Sequence, residues 1–272
     1  GFQVSDGTGF AGRTGIFNIN GGTFSATVAN DSIGEIYNGF LAGRAGGTIP
    51  DSFNVAGGTA TISVPVTALT RRFTLTNGSS LNVSSGSLSV NGFQATRLGY
   101  DDGNITDTVG TTSKVTVSGG SLTFAMAGTG PFFNVGATTN YHGAIVVTGG
   151  ALNISGGSFN VGSGSTTGSV TMSAGTLTVT NTGTDIIGGG NNGNATVSLS
   201  GTSVLNAATS KWKSGDFGGA SNNGTTSISL SDSAALTLKQ FTIGHIGGAT
   251  ATETVTLSGT SALNVNEFIT IG

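Results

Sequence analysis

The residues able to do chemistry are few and scattered. Only two histidines occur in the 272 residues, His142 and His245, and no spacing groups either of them with carboxylates as metal ligands. His245 follows Gly244 in a predicted turn, where we expect it to be exposed to solvent. Serine is abundant, but no G-x-S-x-G sequence at a strand-to-helix turn supports a Ser-His-Asp triad. These residues therefore favour no nucleophilic or metal-dependent chemistry.

The densest acidic group is the segment Y-D-D-G-N-I-T-D, with Asp101, Asp102 and Asp107. Carboxylate oxygens beside a glycine turn suit Ca²⁺, but this segment lacks the twelve-residue loop with its closing glutamate. Polysaccharide-cleaving enzymes use paired carboxylates, whereas the other acids of this chain are isolated. We expect a solvated loop here, no metal or cofactor site, and no enzymatic activity.

Composition excludes several classes of protein. The chain has 9 basic and 12 acidic residues and a net charge of −3, so it offers no basic surface to nucleic acid. No run approaches the ~20 apolar residues that span a bilayer. A hydrophobic fraction of 36% is too high for a disordered chain. Glycine (49 residues), serine, threonine and β-branched residues disfavour helix throughout.

A repeated unit organises the chain. Its clearest form is V-T-V-S-G-G-S-L-T-F from Val115, and later copies such as V-S-L-S-G-T-S-V-L-N-A from Val197 are one residue longer. The predicted copies start at Phe17, Phe53, Phe73, Val115, Ile145, Val170, Val197, Ile228 and Val255. A second element, a short apolar run closed by glycine, ends at Gly43, Gly99, Gly136, Gly162, Gly188, Gly218, Gly244 and Gly272.

The alternation within each copy predicts half-buried strands. Val115 and Val117 point to one side while Thr116 and Ser118 point to the other. One unit cannot bury its apolar side alone, but stacked copies bury it against one another. The sequence therefore predicts an all-β, parallel β-solenoid (β-helix) of about nine to ten coils. A hairpin-built sandwich or propeller is the competing fold, and its Asn-Gly turn signals are few.

The solenoid is predicted to be one domain spanning residues 1–272, with irregular excursions near residues 27–52 and 95–114. Second-element phenylalanines are expected to form an aromatic stack inside it. They are Phe40, Phe133, Phe159 and Phe241.

The cadence x-V-T-[VL]-S-G-G-x-L-x-V followed by F-x-[IV]-G covers most of the chain from Val115 onward. It resembles the β-strand repeats of bacterial autotransporter passenger regions and similar long, low-charge surface proteins. The resemblance implies a β-helix that is secreted or displayed at the cell surface and serves adhesion, display or surface structure. The resemblance concerns the passenger region alone.

Three outward columns of small polar residues are predicted. The first is Thr74, Thr116, Val146, Thr171, Ser198, Ser229 and Thr256. The second is Thr76, Ser118, Thr148, Ser173, Ser200, Ser231 and Ser258. The third is Asn82, Thr123, Asn153, Thr178, Asn206, Thr237 and Asn264. They form a neutral hydrogen-bonding face, a lateral packing surface, a glycan-bearing face or an ice-binding array, although the serine content weakens the last.

The two ends of the repeat array are the candidate functional sites. The final regular coil stops on I-T-I-G, and no charged strand or proline is predicted to cover it. At the other end, Gly1 in place of Met indicates a processed product, and the alternation there predicts that the chain starts within a coil. We expect head-to-tail homopolymers joined at edge residues Phe2, Val4, Phe268, Ile269 and Ile271. The predicted function is a structural subunit of an extracellular filament or surface layer. Alternatives are an adhesin or passenger that binds cell-surface glycans and, third, a polysaccharide-active enzyme.

Overall fold

Short extended strands joined by bends make up the regular structure. The computed structural model describes residues 2–3, 15–27, 39–42, 51–64, 72–100, 110–127, 130–137, 139–181, 185–190, 192–214, 224–244 and 252–271, and within these ranges it contains 24 strands and no helix. In chain order the strands are β1 Phe2–Gln3, β2 Ile16–Ile19, β3 Thr23–Thr27, β4 Gly39–Ala42, β5 Ser52–Ser63, β6 Arg72–Leu75, β7 Ser80–Asn91, β8 Ala95–Leu98, β9 Thr112–Val117, β10 Ser121–Ala125, β11 Phe132–Val135, β12 His142–Val147, β13 Ala151–Ser155, β14 Ser158–Val161, β15 Thr167–Met172, β16 Thr176–Thr180, β17 Asp185–Gly188, β18 Asn194–Leu199, β19 Val204–Ser214, β20 Thr225–Leu230, β21 Ala235–Ile243, β22 Thr252–Leu257, β23 Ala262–Val265 and β24 Ile269–Ile271.

Each strand pairs with its equivalent one coil away, and every pairing between the described strands is parallel. Ladder 1 consists of β1, β4, β6, β8, β11, β14, β17, the second halves of β19 and β21, and β24, which makes ten strand segments. Ladder 2 consists of β2, the first halves of β5 and β7, β9, β12, β15, β18, β20 and β22, which makes nine. Ladder 3 consists of β3, the second halves of β5 and β7, β10, β13, β16, the first halves of β19 and β21, and β23, also nine.

The parallel β-solenoid is thereby confirmed, and the hairpin-built alternative does not fit the pairings. One layer is one passage of the chain through ladders 1, 2 and 3 in that order. The coil lengths vary while the strands stay in register: 36 residues separate Asn18 from its neighbour Asn54, and 25 separate His142 from Thr167. Differences in length are therefore taken up between the strands rather than within them.

The two predicted excursions contain strands of the solenoid. Residues 27–52 include β4, and residues 95–114 include β8 and the start of β9. Their remaining parts, residues 28–38, 43–50 and 101–109, lie outside the described residues.

The third copy of the repeat begins at Leu81, and the predicted start at Phe73 is wrong. Leu81 pairs with Phe53 in the layer before and with Val115 in the layer after. Phe73 belongs to ladder 1, where it pairs with Phe40. Period-two alternation distinguishes the inward from the outward side of a strand, but it does not distinguish one ladder from another.

The outward columns change with this register. Thr74 lies in ladder 1 and Thr76 just beyond it, whereas Asn82 pairs with Thr116 in ladder 2. From Thr116 onward the first column is confirmed, as is the third from Thr123 onward. The second column is confirmed from Ser118, because its backbone N–H groups bond to equivalent carbonyls one layer back.

The core contains an aromatic column that is less continuous than predicted. Ladder 1 presents inward Phe73, Thr96, Phe133, Phe159, Ile186, Trp212, Phe241 and Ile269, so phenylalanine does not recur in every layer. The Phe133 and Phe159 rings do meet, at 5.7 Å between centroids. Where Thr96 leaves space, Phe124 of ladder 3 fills it, 5.4 Å from Phe73 and 5.0 Å from Phe133.

In this layer the sequence predicted the D-F-G run ending at Gly218 as the second element, and that run lies outside the described residues. The strand that occupies ladder 1 contains Trp212 instead. Its indole is fully buried, and Nε1–H donates to Ser214 Oγ at 3.0 Å. The ring fits because Gly188, one layer back, has no side chain: a Cβ there would lie 2.7 Å from Trp212 Cζ2. Gly188 is therefore a strand residue, and the closing glycine with positive φ is Gly189.

Replacing Gly188 with alanine is expected to lower the free energy of unfolding by about 1–3 kcal/mol, the usual cost of overpacking a core. The same substitution in a Trp212→Phe background should cost clearly less, because the smaller ring vacates the overlap. Chemical denaturation of the two single variants and the double variant gives the coupling energy. Additive losses would contradict the contact between these two residues.

The corner between ladders 2 and 3 is built in two ways. In the first layers a glycine with positive φ stacks on a glycine of the layer before. A Cβ on Gly120 would lie 2.3 Å from the Gly86 carbonyl oxygen, and a Cβ on Gly150 would lie 2.5 Å from the Gly120 carbonyl oxygen. In the copies one residue longer, a β-turn replaces this contact, as where the Ser203 N–H bonds to the Ser200 C=O at 3.2 Å. The extra residue therefore changes the corner and leaves both ladders in register.

Candidate functional site

The side chains with catalytic potential serve structural contacts where the structure describes them. His142 is half-buried, and its Nδ1 accepts a hydrogen bond from the Thr167 N–H of the next layer at 3.2 Å. Asp51 is buried, and its Oδ1 accepts from the Gly15 N–H of the layer before at 2.7 Å. Both side chains tie adjacent layers together. His245 and the acidic group Asp101, Asp102 and Asp107 lie outside the described residues.

Within the described ranges, no group of three or more His, Cys, Asp or Glu side chains is placed to hold a metal ion. In the same ranges, no helix is long and apolar enough to cross a membrane.

The outward side of ladder 2 carries an uncharged array of hydroxyl and amide groups in its later layers. Ser229 Oγ donates to Ser198 Oγ at 3.2 Å, and Thr225 Oγ1 donates to Asn194 Oδ1 at 2.6 Å. These bonds run from one layer to the next, along the axis of the solenoid. The array thus joins layers while remaining open to water.

At the other end of the same column an asparagine ladder, not predicted from the sequence, replaces the hydroxyls. Asn82 Nδ2 donates to Asn54 Oδ1 at 2.7 Å, and Asn54 Nδ2 donates to Asn18 Oδ1 at 2.8 Å. Every bond has the same direction, because each amide donates to the layer before it. In the first described layer of this ladder Asn18 therefore acts as the acceptor, through Oδ1.

The last-layer edge, formed by β22, β23 and β24, exposes apolar side chains. Ile271 is 78% exposed, Ile269 53%, Phe268 52% and Leu257 47%. Leu257 and Ile269 continue inward columns whose members one layer back, Leu230 and Phe241, are buried. The half-buried inward residues Val255, Leu263 and Val265 complete this edge.

The first-layer edge, formed by β1, β2 and β3, is also apolar on its inward side. The half-buried rings of Phe17 and Phe24 lie 5.0 Å apart, and Phe17 stacks on Phe53 of the next layer at 5.1 Å. Ile16, on the outward side, is 63% exposed. Within the described residues β1 pairs with β4 alone, through Phe2 with Phe40 and Gln3 with Leu41.

The last-layer edge carries charge both on the inward side of β22, where the half-buried Glu253 accepts a hydrogen bond from the Gly244 N–H, and at its rim. Lys239 Nζ lies 3.4 Å from Glu267 Oε1, and Gln240 Nε2 donates to Glu267 Oε2. The Gln240 hydrogen bond, followed by Lys239, lowers the pKa of the Glu267 carboxyl below its usual range. Glu267 is therefore ionised at neutral pH and tied to the layer before it.

The structure places four of the five predicted edge residues, and they lie at opposite ends of the solenoid. Phe268, Ile269 and Ile271 lie together at the last-layer edge, Phe2 belongs to the first-layer edge, and Val4 lies outside the described residues. Leu257, Leu263 and Val265 were not predicted from the sequence as edge residues, and neither were Phe17 and Phe24. The alternation of apolar and polar residues could have identified each of them, because they are the inward residues of the first and last copies of the repeat.

No protein-family model, no curated protein and no solved structure matches this chain.

Proposed function

We propose that this chain is a structural subunit of an extracellular filament or surface layer, assembling end to end through the first-layer and last-layer edges. The observation that carries the proposal is the exposure of inward-facing apolar positions at the last-layer edge, where Leu257 and Ile269 lack the covering that their columns have in earlier layers. Exposed strand edges are also templates for pairing with another chain.

The energetics favour assembly that depends on concentration. Full burial of one large aliphatic or aromatic side chain contributes about 1.5–3 kcal/mol. The four exposed side chains are 47–78% exposed, so completing their burial contributes roughly 3–7 kcal/mol. Association costs on the order of 4–15 kcal/mol, which backbone pairing along three strands helps to offset. We therefore expect the extent of assembly to rise with protein concentration.

The geometry of the contact favours a filament. The first-layer and last-layer edges are different surfaces at opposite ends of the solenoid, so a contact between them is head-to-tail. A head-to-tail contact that does not close into a ring propagates without limit.

The assignment to the cell exterior rests on the repetitive, weakly charged sequence and on its resemblance to autotransporter passenger regions. A long neutral solenoid with outward hydroxyl columns suits surface display. No catalytic role is part of this proposal.

A second candidate is an adhesin or glycan-binding passenger, favoured by the uncharged hydroxyl and amide array on ladder 2. Side chains such as Thr171 and Thr196 are exposed and match the hydrogen-bonding groups of sugars. A chain that stays monomeric and binds cell-surface glycans would favour this candidate over the filament.

Light scattering after size exclusion, together with negative-stain microscopy, tests the filament directly. The 272-residue chain should form polymers one solenoid wide at tens of micromolar. Ile271→Asp should abolish them, because it places a charge at an inward position of the joint, and at 78% exposure it disturbs the subunit little. Thr270→Asp, on the outward side of β24, is the matched control and should still polymerise. A stable wild-type monomer without fibres would refute the proposal.

A further inference from the structure

The core contains two polar side chains at the corner where the chain passes from ladder 3 to ladder 1. Asn181 follows β16, and Ser210 lies one layer later, between the ladder 3 and ladder 1 halves of β19. Both side chains are fully buried. Within the part of the chain that the structure describes, Asn181 Oδ1 and Nδ2 and Ser210 Oγ have no hydrogen-bond partner.

Asn181 takes an inward position that is apolar in earlier layers. Backbone hydrogen bonds from the N–H groups of one layer to the C=O groups of the next define its column. The column consists of Val64, Gly92, Met126, Gly156 and Asn181. Val64 and Met126 belong to the hydrophobic core, and Gly156 contributes no side chain that could bond to the amide of the next layer. Asn181 therefore brings a carboxamide to a place where earlier layers have hydrocarbon or no side chain.

The corner lengths of the two layers explain why strand pairing stops here. Thr178 pairs with Asn206, and pairing resumes where Asp185 meets Lys211. Between these pairs the first layer has six residues, 179–184, and the next has four, 207–210. Equivalent backbone groups cannot all face each other across such a difference. The two polar side chains therefore do not stack in register as strand residues do.

The chemistry of the corner selects a small, neutral ligand. The carboxamide supplies two donor hydrogens and an acceptor oxygen, and the serine hydroxyl both donates and accepts. The inward residues next to them along the chain, Val179, Ala207 and Trp212, are apolar and buried. An ion would lack a compensating charge among these groups. A buried water molecule, in contrast, needs only two to four uncharged polar partners.

We propose that this corner is an internal water-binding site, in which a water molecule bonds to both Asn181 and Ser210. Buried polar groups in native proteins are nearly always bonded to protein or to ordered water. Successive layers lie about 4.8 Å apart, which two hydrogen bonds of about 2.8 Å through one oxygen can span. The water links the two layers where their strands do not pair. The site is independent of end-to-end assembly.

A high-resolution crystal structure of the full chain tests the site directly. A water oxygen should lie within about 2.7–3.2 Å of both the Asn181 carboxamide and Ser210 Oγ. Direct hydrogen bonds from these two side chains to protein groups, those of residues 182–184 included, would overturn the proposal. So would a corner in which no water oxygen lies within that distance of both residues.

Thermal unfolding of full-length variants tests the bridge in solution. Asn181→Leu and Ser210→Ala each remove one partner of the water, so each should lower the unfolding midpoint by roughly 2–10 °C. The double variant should lose clearly less than the sum of the two, because it leaves neither polar group without its water.

Asn181→Leu combined with Ser214→Ala is the matched control for this coupling. Ser214 is a buried serine on the same strand as Ser210, but its Oγ accepts from Trp212 Nε1–H, so the two losses should be additive. A higher midpoint for Asn181→Leu alone, or additive losses for Asn181→Leu with Ser210→Ala, would overturn the site.

Discussion

Replacing Trp212 with alanine is expected to lower the free energy of unfolding by about 3–5 kcal/mol, the usual cost of emptying a large aromatic site in a core. The indole is fully buried between Ile186 and Phe241 in the inward column of ladder 1. Its loss opens a cavity across two layers and also leaves Ser214 Oγ buried without its indole donor. Denaturant unfolding followed by far-ultraviolet circular dichroism measures the loss.

Two companion variants separate the effect of the lost ring volume from the effect of the lost hydrogen bond and from any effect of the strand surface. Trp212→Phe retains most of the ring volume and removes the Nε1–H donor, so it should lose only part of the stability. Lys211→Ala, on the outward side of the same strand, should change stability by less than about 0.5 kcal/mol, as is usual for surface positions. A loss at Lys211 equal to that at Trp212 would mean that the two sides of this strand are interchanged.

The second large effect is expected at the corner glycine Gly120. Alanine there meets two obstacles: a positive φ of 65°, and a Cβ 2.3 Å from the Gly86 carbonyl oxygen. The backbone conformation alone costs about 1–2 kcal/mol. Displacing a carbonyl of the neighbouring layer adds about 1–3 kcal/mol or more, because the layers cannot separate without breaking ladder hydrogen bonds.

Gly130 provides the control for this prediction. Its φ is 62°, nearly that of Gly120, yet a Cβ on it would meet nothing within 4 Å. Gly130→Ala should therefore show the conformational cost alone. Thermal unfolding of both variants tests the difference, and equal losses would mean that the stacked corner imposes no steric limit.

The sequence predicted the fold well where each copy repeats the same residues. From Val115 onward, copies that alternate Val, Ile or Leu with Ser or Thr fell into the observed registers. The alternation predicts the register there because one side of each strand is buried and the other faces solvent. Before Val115, phenylalanine occupies inward positions in two ladders, as Phe53 in ladder 2 and Phe73 in ladder 1. Residue type therefore no longer indicates to which ladder a strand belongs.

The interior could be predicted only in part, because packing between ladders decides it. Nothing local indicates that Phe124 fills the space beside Thr96, since these residues belong to different ladders. Trp212 lies between two lysines on a strand, where the flanking lysines point outward and the tryptophan inward. Phe268, Ile269 and Ile271 were predicted at the last-layer edge, but Leu257, Leu263 and Val265 were not, although alternation also places them there. The different strand counts of the ladders could be found only from the pairings themselves.

The constant register of coils that differ in length has a consequence for inheritance. Each coil presents the same columns above and below, and Gly143 and Gly168, 25 residues apart, occupy equivalent positions in successive layers. Duplicating or deleting the DNA for one whole coil would shift the ends by one layer, about 4.8 Å, and leave both edges unchanged. Subunits of different lengths would then share one joint, so recombination between repeats becomes a source of length variants that still copolymerise.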